Sequence, residues 1–356
     1  MGCLFPKFKS TKSLRQTPSL AASSSKDYGT LHNSQEIAHV PTTPSPSYYS
    51  PSPYNPAYTP INPPLDITYT ADRKGTRGDS IHSKKGSLRR GNMPIRIATW
   101  NLLLFSKEKA SHPEVLKIIV DIILANQLDL IAVQELSDKI ALKLVCDELN
   151  RSKNGVWKYK VSERAGRMFQ SNEYLGYIWN TSKGLRMKSD RLLTQNKSFA
   201  RSPYLAKFII NKQNMLLVNV HLKAVGLARE DINRTRDEVD LLSLLIQSIY
   251  SISDFTSVHT FLLGDFNLCP DSDFDRIYQS GFQNLLAKGT HTNISARNPR
   301  GSMSYDNIWV SLETLETVYG GKCGVVRDGL VDVDTRREDR APTVSDHCPV
   351  WATFNL

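Results

Sequence analysis

The stretch Thr260-Phe-Leu-Leu-Gly-Asp-Phe-Asn267 is a short apolar run that ends in an acid and an amide. The same arrangement occurs at Leu130–Val133, which precedes an amide and an acid, and at Met215–Val220, which precedes His221. An apolar run of this length, bounded by polar residues, is typical of a buried strand. We therefore predict several strands whose carboxyl ends bring polar side chains into one cleft.

Further segments extend this pattern in both directions along the chain. Ile95–Trp100 alternates in polarity and meets Asn101, and Tyr305–Val310 and Val344–His347 continue the series of apolar runs with a polar end. The pattern predicts that these segments also deliver polar side chains at their carboxyl ends.

Two amphipathic segments separate the predicted strands. Apolar residues recur at helical spacing after Ser111 and Pro113, which predicts a helix capped by the serine. A second, longer helix is predicted between Asp231 and Ser251, with Val239 and Leu242 on its apolar face. Strands with interspersed helices and no glycine-rich phosphate loop indicate an α+β fold, in which two sheets pack face to face between outer helices.

The first 90 residues differ in composition from the rest. They hold twelve basic side chains against five acidic ones, +7 of the chain's net +10, and eleven of the 18 prolines lie before residue 65. Such a segment cannot bury enough apolar surface to offset its ordering entropy. We predict a disordered tail over residues 1–90 and one globular domain over residues 91–356. The remaining +3 excludes a protein that coats nucleic acid by charge alone.

The first residues of the tail predict a lipid anchor. Gly2 offers an amine for myristoylation once the initiator methionine is removed, and Cys3 offers a thiol for palmitoylation. Basic residues from Lys7 to Arg15 follow, and an acyl chain with a second chain or a basic cluster suffices for stable membrane binding. Pro6 departs from the usual pattern, which has serine or threonine at that position.

The cysteines and the apolar runs indicate the compartment. Five cysteines at irregular spacing include no Cys-x-x-Cys pair, and no apolar run approaches 18 residues. The N-terminus has no apolar segment of signal-peptide length. We expect an intracellular protein, held at the cytoplasmic face of a membrane by its acylated N-terminus.

Acids and amides at strand ends predict a metal site. Mg²⁺ prefers oxygen ligands and keeps several waters, so Glu135 with Asn101 supplies a suitable partial shell; Mn²⁺ is the second candidate. The ion would neutralise a phosphate oxygen as charge develops. Asp265 and Asn267 would position the attacking water and hydrogen-bond the transition state.

Two histidines suit the proton transfers of phosphodiester cleavage. Histidine titrates near neutral pH, and a carboxylate partner fixes its tautomer. We expect His347 to pair with Asp306 and His221 to pair with Glu173.

Six ordered motifs resemble those of a known family. They are Thr99-Trp100-Asn101, Val133-Gln134-Glu135, Asn219-Val220-His221, Gly264-Asp265-Phe266-Asn267, Tyr305-Asp306-Asn307-Ile308-Trp309 and Ser345-Asp346-His347-Cys348-Pro349. Their order, over about residues 94–356, is similar to the motif series of the endonuclease/exonuclease/phosphatase superfamily. The resemblance implies a deoxyribonuclease I-like fold, a four-layer α/β/β/α sandwich, and metal-dependent hydrolysis of phosphodiesters.

A closer resemblance concerns one branch of that superfamily. Thr292-Asn293-Ile294-Ser295 and Gly324-Val325-Val326-Arg327-Asp328-Gly329 resemble the nuclease-like domain of the endonuclease/exonuclease/phosphatase family domain-containing protein 1 group. The helix-hairpin-helix segment expected of that group is absent here, and a proline-rich tail stands in its place. Roles tied to that segment are therefore not carried over.

The resemblance also implies roles for the matching residues. Glu135 and Asn101 resemble the metal-binding pair, with Asp346 as a further ligand. Arg201 sits where nucleases of this fold place a phosphate-contacting arginine. Ser171 stands where the secreted nucleases have a tyrosine that lines the groove, which weakens a preference for double helices. The implied catalytic residues are His221, Glu173, His347, Asp306, Asp265 and Asn267.

Several functions remain open at this point. The leading hypothesis is a monomeric Mg²⁺-dependent endonuclease or exonuclease that acts on nucleic acid. The alternatives are a phospholipid phosphodiesterase of sphingomyelinase type, a non-catalytic binding module on the same fold, and a membrane-tethered adaptor that uses the tail. An inositol-polyphosphate phosphatase is disfavoured, because that branch has Cys-Asp-Arg where this chain has Tyr305-Asp306-Asn307. The sequence does not distinguish DNA from RNA.

Overall fold

A computed structural model of the chain describes residues 94–168, 171–194, 199–224, 229–250, 258–270, 274–295, 297–330 and 343–356. The expected tail, with Gly2 and Cys3, lies outside these residues, so its disorder and its acylation stay predictions. Within the described ranges, none of the helices combines the length and the hydrophobicity needed to span a bilayer.

Thirteen strands and six α-helices follow one another along the described part of the chain, and no α-helix lies between β3 and β8. The strands are β1 (Pro94–Phe105), β2 (Leu130–Leu136), β3 (Trp157–Val161), β4 (Gly166–Met168), β5 (Ser171–Asn180), β6 (Arg186–Leu192), β7 (Tyr204–Ile210), β8 (Gln213–His221), β9 (Val258–Asp265), β10 (Phe282–Asn284), β11 (Asp306–Ser311), β12 (Tyr319–Val325) and β13 (Val350–Asn355). The helices are α1 (Lys107–Ala110), α2 (Pro113–Ala125), α3 (Ala141–Arg151), α4 (Arg229–Tyr250), α5 (Asp275–Gln279) and α6 (Leu312–Thr317).

The strands form two mixed sheets. The first has the order β12-β13-β1-β2-β5-β3, with β4 paired to β5, and the second has the order β10-β11-β9-β8-β7-β6. β1 and β2 run parallel, as do β8 and β9, and the other described neighbours are antiparallel. Each sheet therefore has a parallel pair at its centre, and the carboxyl ends of such a pair meet at one edge.

Three apolar clusters separate four layers. Ile119 of α2 belongs to a cluster between the outer helices α1 to α3 and the first sheet. Phe208 and Phe354 belong to the cluster between the two sheets. Leu242 of α4 belongs to a third cluster, which joins the second sheet to α4 and α5. The predicted four-layer α/β/β/α sandwich is confirmed, and α4 buries Val239 and Leu242 as its periodicity predicts.

The cap predicted for α2 was wrong by one residue. The helix begins at Pro113 with His112 as its N-cap, and Ser111 instead ends α1. Proline is favoured at the first helical position because its missing N–H would have no partner there. The residue directly before Pro113 is therefore the cap.

Two segments do not follow the expected pattern of a strand with a polar carboxyl end. Asp306 is the first residue of β11 and pairs with Asp265, the last residue of β9. Residues 344–347 precede β13, and His347 forms an isolated bridge with Asn293. An antiparallel strand begins where its neighbour ends, so the start of β11 reaches the same edge as the end of β9.

Candidate active site

The candidate site lies at one edge of both sheets, where the carboxyl ends of the parallel pairs meet the starts of β5 and β11. Most of its polar side chains are buried, and the side chain of His347 is only 12% exposed. The buried set comprises Asn101, Glu135, Glu173, His221, Asp265 and Asp306. Each of these residues makes at least one hydrogen bond through its side chain, although Oδ1 of Asp306 has no partner among the described residues.

His221 is held by a buried carboxylate. Its Nδ1 lies 2.5 Å from Oε1 of Glu173, and Oε2 of Glu173 accepts a hydrogen bond of 2.5 Å from Nε of Arg201. Burial by itself lowers the pKa of His221, but Glu173 and Asp265 together outweigh it and the pKa is raised. Burial would raise the pKa of Glu173, but His221 and Arg201 outweigh it and the pKa is lowered. The pair is therefore an ionic contact that leaves Nε2 of His221 facing the carboxylates of Glu135 and Asp265.

His347 is also held by a buried carboxylate, that of Asp306. Its Nδ1 lies 2.8 Å from Oδ2 of Asp306, and Oγ1 of Thr292 donates to the same oxygen at 2.8 Å. Burial raises the pKa of Asp306 to about 6, although His347 counteracts this. Burial would lower the pKa of His347, but Asp306 and Asp265 outweigh it and raise the pKa well above its usual value.

Asp265 lies between the two histidines. Its Oδ2 is 3.6 Å from Nε2 of His221 and 3.8 Å from Nε2 of His347. Its Oδ1 accepts a hydrogen bond of 2.9 Å from the amide of Asn267, whose Nδ2 donates to Leu222 O. Burial would raise the pKa of Asp265, but the two histidines outweigh it, and the pKa is lowered. Two imidazoles thus converge on one carboxylate oxygen.

Unusual backbone geometry fixes several of these side chains. Gly264 has φ +147°, and a Cβ built there would lie 2.0 Å from Val220 O, so only glycine fits where β9 meets β8. Glu135 and Asn267 have φ of +59° and +51°, in the left-handed region that side chains other than glycine rarely adopt. Such conformations persist where the surrounding structure imposes them, and they concentrate at functional sites.

The predicted metal pair adjoins Asp265. Nδ2 of Asn101 donates to Oε1 of Glu135 and to Oδ2 of Asp265, both at 3.0 Å. Asp346 lies at the rim, with its side chain 55% exposed and its Oδ1 3.9 Å from Nε2 of His347. The buried carboxylates of Glu135 and Asp265 are hard donors that suit Mg²⁺, and Asn101 turns its Nδ2 rather than its Oδ1 towards both of them. Asp265 therefore lies beside the predicted pair, and Asp346 lies at the edge of the group.

A second group of donor atoms lies beside this set. Among the described residues, atoms of Asp265, Asp306 and His347 lie within 4.8 Å of one another, the spacing of a potential cation site. The Asp306–His347 hydrogen bond already occupies part of this group.

Arg201 lies against the carboxylate that holds His221. It is 8% exposed and donates hydrogen bonds to Glu173 and, at 3.2 Å, to Leu222 O. These contacts orient the Glu173–His221 pair. Contact with a phosphate stays a prediction.

Sequence reasoning missed a buried polar network that joins the two sheets. Nε2 of Gln134 donates to Oγ1 of Thr99 at 2.9 Å and to Oδ1 of Asn219 at 2.7 Å. Nδ2 of Asn219 donates to Val133 O and Gly176 O, both at 3.1 Å. The signal that could have found it is a polar side chain within an apolar strand, one or two residues before Asn101, Glu135 and His221.

Thr292 and Ser345 were missed as well. Besides its bond to Asp306, Oγ1 of Thr292 accepts hydrogen bonds from the amides of Tyr305 and Asp306. Oγ of Ser345 donates to Asn101 O at 2.6 Å and accepts from the amide of His347 at 2.9 Å. Both hydroxyls form hydrogen bonds between a loop and a strand end. The presence of a serine or threonine in a loop does not by itself predict such a role.

No protein-family model matches this chain, but relatives exist among curated proteins. Human endonuclease/exonuclease/phosphatase family domain-containing protein 1 is 34% identical over 289 residues, which cover 76% of this chain and 50% of that protein. The Danio rerio protein of the same name is 35% identical over 286 residues, 75% of this chain and 52% of that protein. The chain thus spans about half the length of these relatives. Bos taurus deoxyribonuclease-1 is 25% identical over 303 residues, 79% of this chain and 99% of that protein.

Solved structures share the fold. A humanized TDP2 of D. rerio has a TM-score of 0.53 at 15% identity and covers 74% of this chain and 99% of that chain. The catalytic domain of human Nocturnin has a TM-score of 0.50 at 15% identity and covers 73% of this chain and 94% of that chain. At these identities the likeness concerns the fold alone.

Proposed function

The globular part of this chain belongs to the endonuclease/exonuclease/phosphatase superfamily, and we propose that it is a metal-dependent nuclease that hydrolyses phosphodiester bonds of nucleic acid. One observation carries the proposal: Nε2 of His221 and Nε2 of His347 converge on Oδ2 of Asp265, at 3.6 and 3.8 Å. Each imidazole has a buried carboxylate on its other nitrogen, the arrangement that general acid–base catalysis needs. An intact arrangement of this kind favours an enzyme over a non-catalytic module.

The residues divide the chemistry of hydrolysis among them. Asp265 and Asn267 position the attacking water, whose oxygen forms the new bond to phosphorus. One histidine takes the proton of that water, and the other gives a proton to the leaving oxygen as its bond to phosphorus breaks. Held by Glu135, Asn101 and Asp265, with Asp346 as the further ligand, Mg²⁺ or Mn²⁺ would neutralise the charge that develops on a phosphate oxygen.

Nucleic acid as the substrate is supported by the relatives. Bos taurus deoxyribonuclease-1 is a relative over nearly its full length, and one D. rerio TDP2 structure with a TM-score of 0.50 is described as a complex with a single-strand DNA product.

In this proposal the present chain acts as a monomer inside the cell. Acyl chains on Gly2 and Cys3 tether it to the cytoplasmic face of a membrane.

The proposal is tested with the full chain and Mg²⁺. Plasmid DNA, single-stranded DNA, RNA and sphingomyelin vesicles are compared for wild type, His221→Ala and His347→Ala. His259→Ala is the matched control, because His259 lies on β9, the strand that ends at Asp265, but near its other end. We expect cleavage of nucleic acid that EDTA abolishes and that falls at least about 100-fold in the two site variants but not in the control.

Other outcomes would replace the proposal. Hydrolysis of sphingomyelin alone would favour the phospholipid phosphodiesterase. Folded protein that cleaves none of the four substrates would favour the non-catalytic module.

A further inference from the structure

The backbone directly after Asn101 is held in a rare conformation. Leu103 and Leu104 have φ of +47° and +50°, and the register between β1 and β2 shifts between Asn101 and Phe105. Left-handed φ places Cβ close to the following carbonyl, so a leucine adopts it only where other contacts impose it. Two consecutive leucines in this conformation form a strained bulge, which we call the Leu102–Leu104 bulge.

The bulge supplies amides to both residues of the proposed metal pair. The amide of Leu103 donates to Oδ1 of Asn101 at 3.0 Å, and the amide of Leu104 donates to Oε2 of Glu135 at 2.9 Å. Partners of this kind orient metal ligands and raise metal affinity. Relaxation of the bulge to ordinary φ values would turn both amides away from the two side chains.

Lys109 holds the bulge from its other side. Its Nζ donates to Leu102 O at 3.0 Å and to Leu103 O at 2.5 Å, and its own amide donates to Oγ of Ser106, the N-cap of α1. Burial lowers the pKa of Lys109 to about 8, although Asp346 and Glu135 counteract this. An ammonium group placed on two carbonyls fixes their directions, and with them the neighbouring peptide planes.

We propose that Lys109 is a positioning residue for metal binding, which holds the Leu102–Leu104 bulge in the conformation that orients Asn101 and Glu135. The inference rests on the proposed function, because it assigns Lys109 to the metal pair of that site. Lys109 acts through the backbone and does not itself touch the metal or the substrate.

The sign of the effect separates this role from simple electrostatics. Lys109 is a positive charge near Glu135 and Asp346, so its removal alone would strengthen the binding of a cation. If a variant that lacks this charge nevertheless binds cations more weakly, its ligands have lost their orientation. The affinity lost in this way then exceeds the affinity gained by removing the positive charge.

The test measures Mn²⁺ binding to the full chain by electron paramagnetic resonance of free Mn²⁺, together with the Mg²⁺ dependence of hydrolysis. Lys109→Met should weaken Mn²⁺ binding about tenfold, as the loss of an outer partner of a metal ligand does. Lys107→Met is the matched control, since Lys107 is an exposed lysine on the same short helix. It should bind Mn²⁺ as the wild type does or more tightly.

A rescue variant tests the mechanism. Glycine adopts positive φ without strain, so Lys109→Met combined with Leu104→Gly should bind Mn²⁺ more tightly than Lys109→Met alone. Thermal unfolding establishes that each variant is folded. If Lys109→Met does not fold, Lys109→Gln, which keeps a donor for one of the two carbonyls, replaces it in the same comparison.

The outcomes are distinguishable from those of the proposed function. A wild-type chain that neither binds Mn²⁺ nor hydrolyses any substrate overturns the proposed function and this inference with it. A wild-type chain that does both, with Lys109→Met binding Mn²⁺ equally well or better, overturns only the inference. Equal affinities of Lys109→Met and its Leu104→Gly combination would also overturn it, because the bulge geometry would then not be what Lys109 supplies.

Discussion

Glu173→Gln is the sharpest test of the pair that holds His221. Glu173 is fully buried, and its two oxygens accept hydrogen bonds from Nδ1 of His221 and Nε of Arg201. A glutamine has the same shape but only one acceptor oxygen, so its amide nitrogen must face one of the two donors. The substitution also removes the carboxylate to which the buried guanidinium of Arg201 donates.

The expected loss of stability follows from that geometry. Removing one partner of a buried ion pair destabilises a protein by about 3–5 kcal/mol. For a domain of this size about 1 kcal/mol shifts Tm by roughly 2–4 °C, so Tm should fall by roughly 6–20 °C. The rate of hydrolysis should fall by about 10²–10⁴, because His221 loses the carboxylate that fixes its tautomer.

The pH dependence of this loss has a definite sign. Burial opposes ionisation of Glu173, but His221 and Arg201 outweigh it and lower the pKa below its ordinary value. A carboxyl group with a lowered pKa contributes stability above its unfolded pKa of about 4.3, and this contribution disappears as the pH falls through the folded value. The difference in Tm between wild type and Glu173→Gln should therefore be full near neutral pH and shrink in acid.

The assay is thermal and urea unfolding of the full chain, with initial rates on the substrate that the wild type cleaves. Glu163→Gln is the control, because Glu163 is 85% exposed and pairs with Lys139 at 2.9 Å. An exposed pair contributes at most about 1 kcal/mol, so the control should change neither Tm nor rate appreciably. A Glu173→Gln variant with the Tm and the rate of the control would refute the assignment of a buried ionic pair.

Three further substitutions have defined outcomes. Gly264→Ala places a Cβ 2.0 Å from Val220 O at φ +147°. It should lower the free energy of unfolding, measured in urea, by about 2–5 kcal/mol. An unchanged midpoint of urea unfolding would contradict the close contact. Asn219→Asp replaces Nδ2, which donates to two backbone carbonyls, with an oxygen that faces them. The free energy of unfolding in urea should fall by at least about 3 kcal/mol. A variant as stable as the wild type would mean that the network between the sheets is dispensable. Asp306→Asn should remain folded, because the hydrogen bonds of Thr292 with residue 306 persist. It should hydrolyse its substrate about 10²–10⁴-fold more slowly than the wild type. Full activity would exclude a catalytic role for the His347–Asp306 pair.

The polar residues at the strand ends could be predicted because a single short segment of sequence marks each of them. Glu135, His221 and Asp265 all end apolar runs, and the structure places each of them at or near the end of a buried strand. Glu173 and Asp306 lie at the starts of strands instead, so no local run points to them. Asp306 lies within one of the six ordered motifs, whereas Glu173 lies in none of them and was predicted only as the carboxylate partner of His221.

Apart from the two histidine–carboxylate pairs, the partners of these residues could not be predicted in the same way. Arg201 bonds to Glu173 across 28 positions, and Thr292 bonds to Asp306 across 14. Which side chain reaches which depends on how loops fold back onto the strand ends. A bulge such as Leu102–Leu104 is harder still, because two leucines give no sign of positive φ.

The sequence by itself determined the layers of this protein and the residues available to its site. Hydrophobic periodicity is a local property, and each apolar run must find a sheet or helix face on which to be buried. Only the tertiary structure decided that Asn101 would meet Asp265, 164 positions away, and that two histidines would converge on that carboxylate. Such contacts depend on strand order, strand direction and the stacking of two sheets, which no single segment encodes.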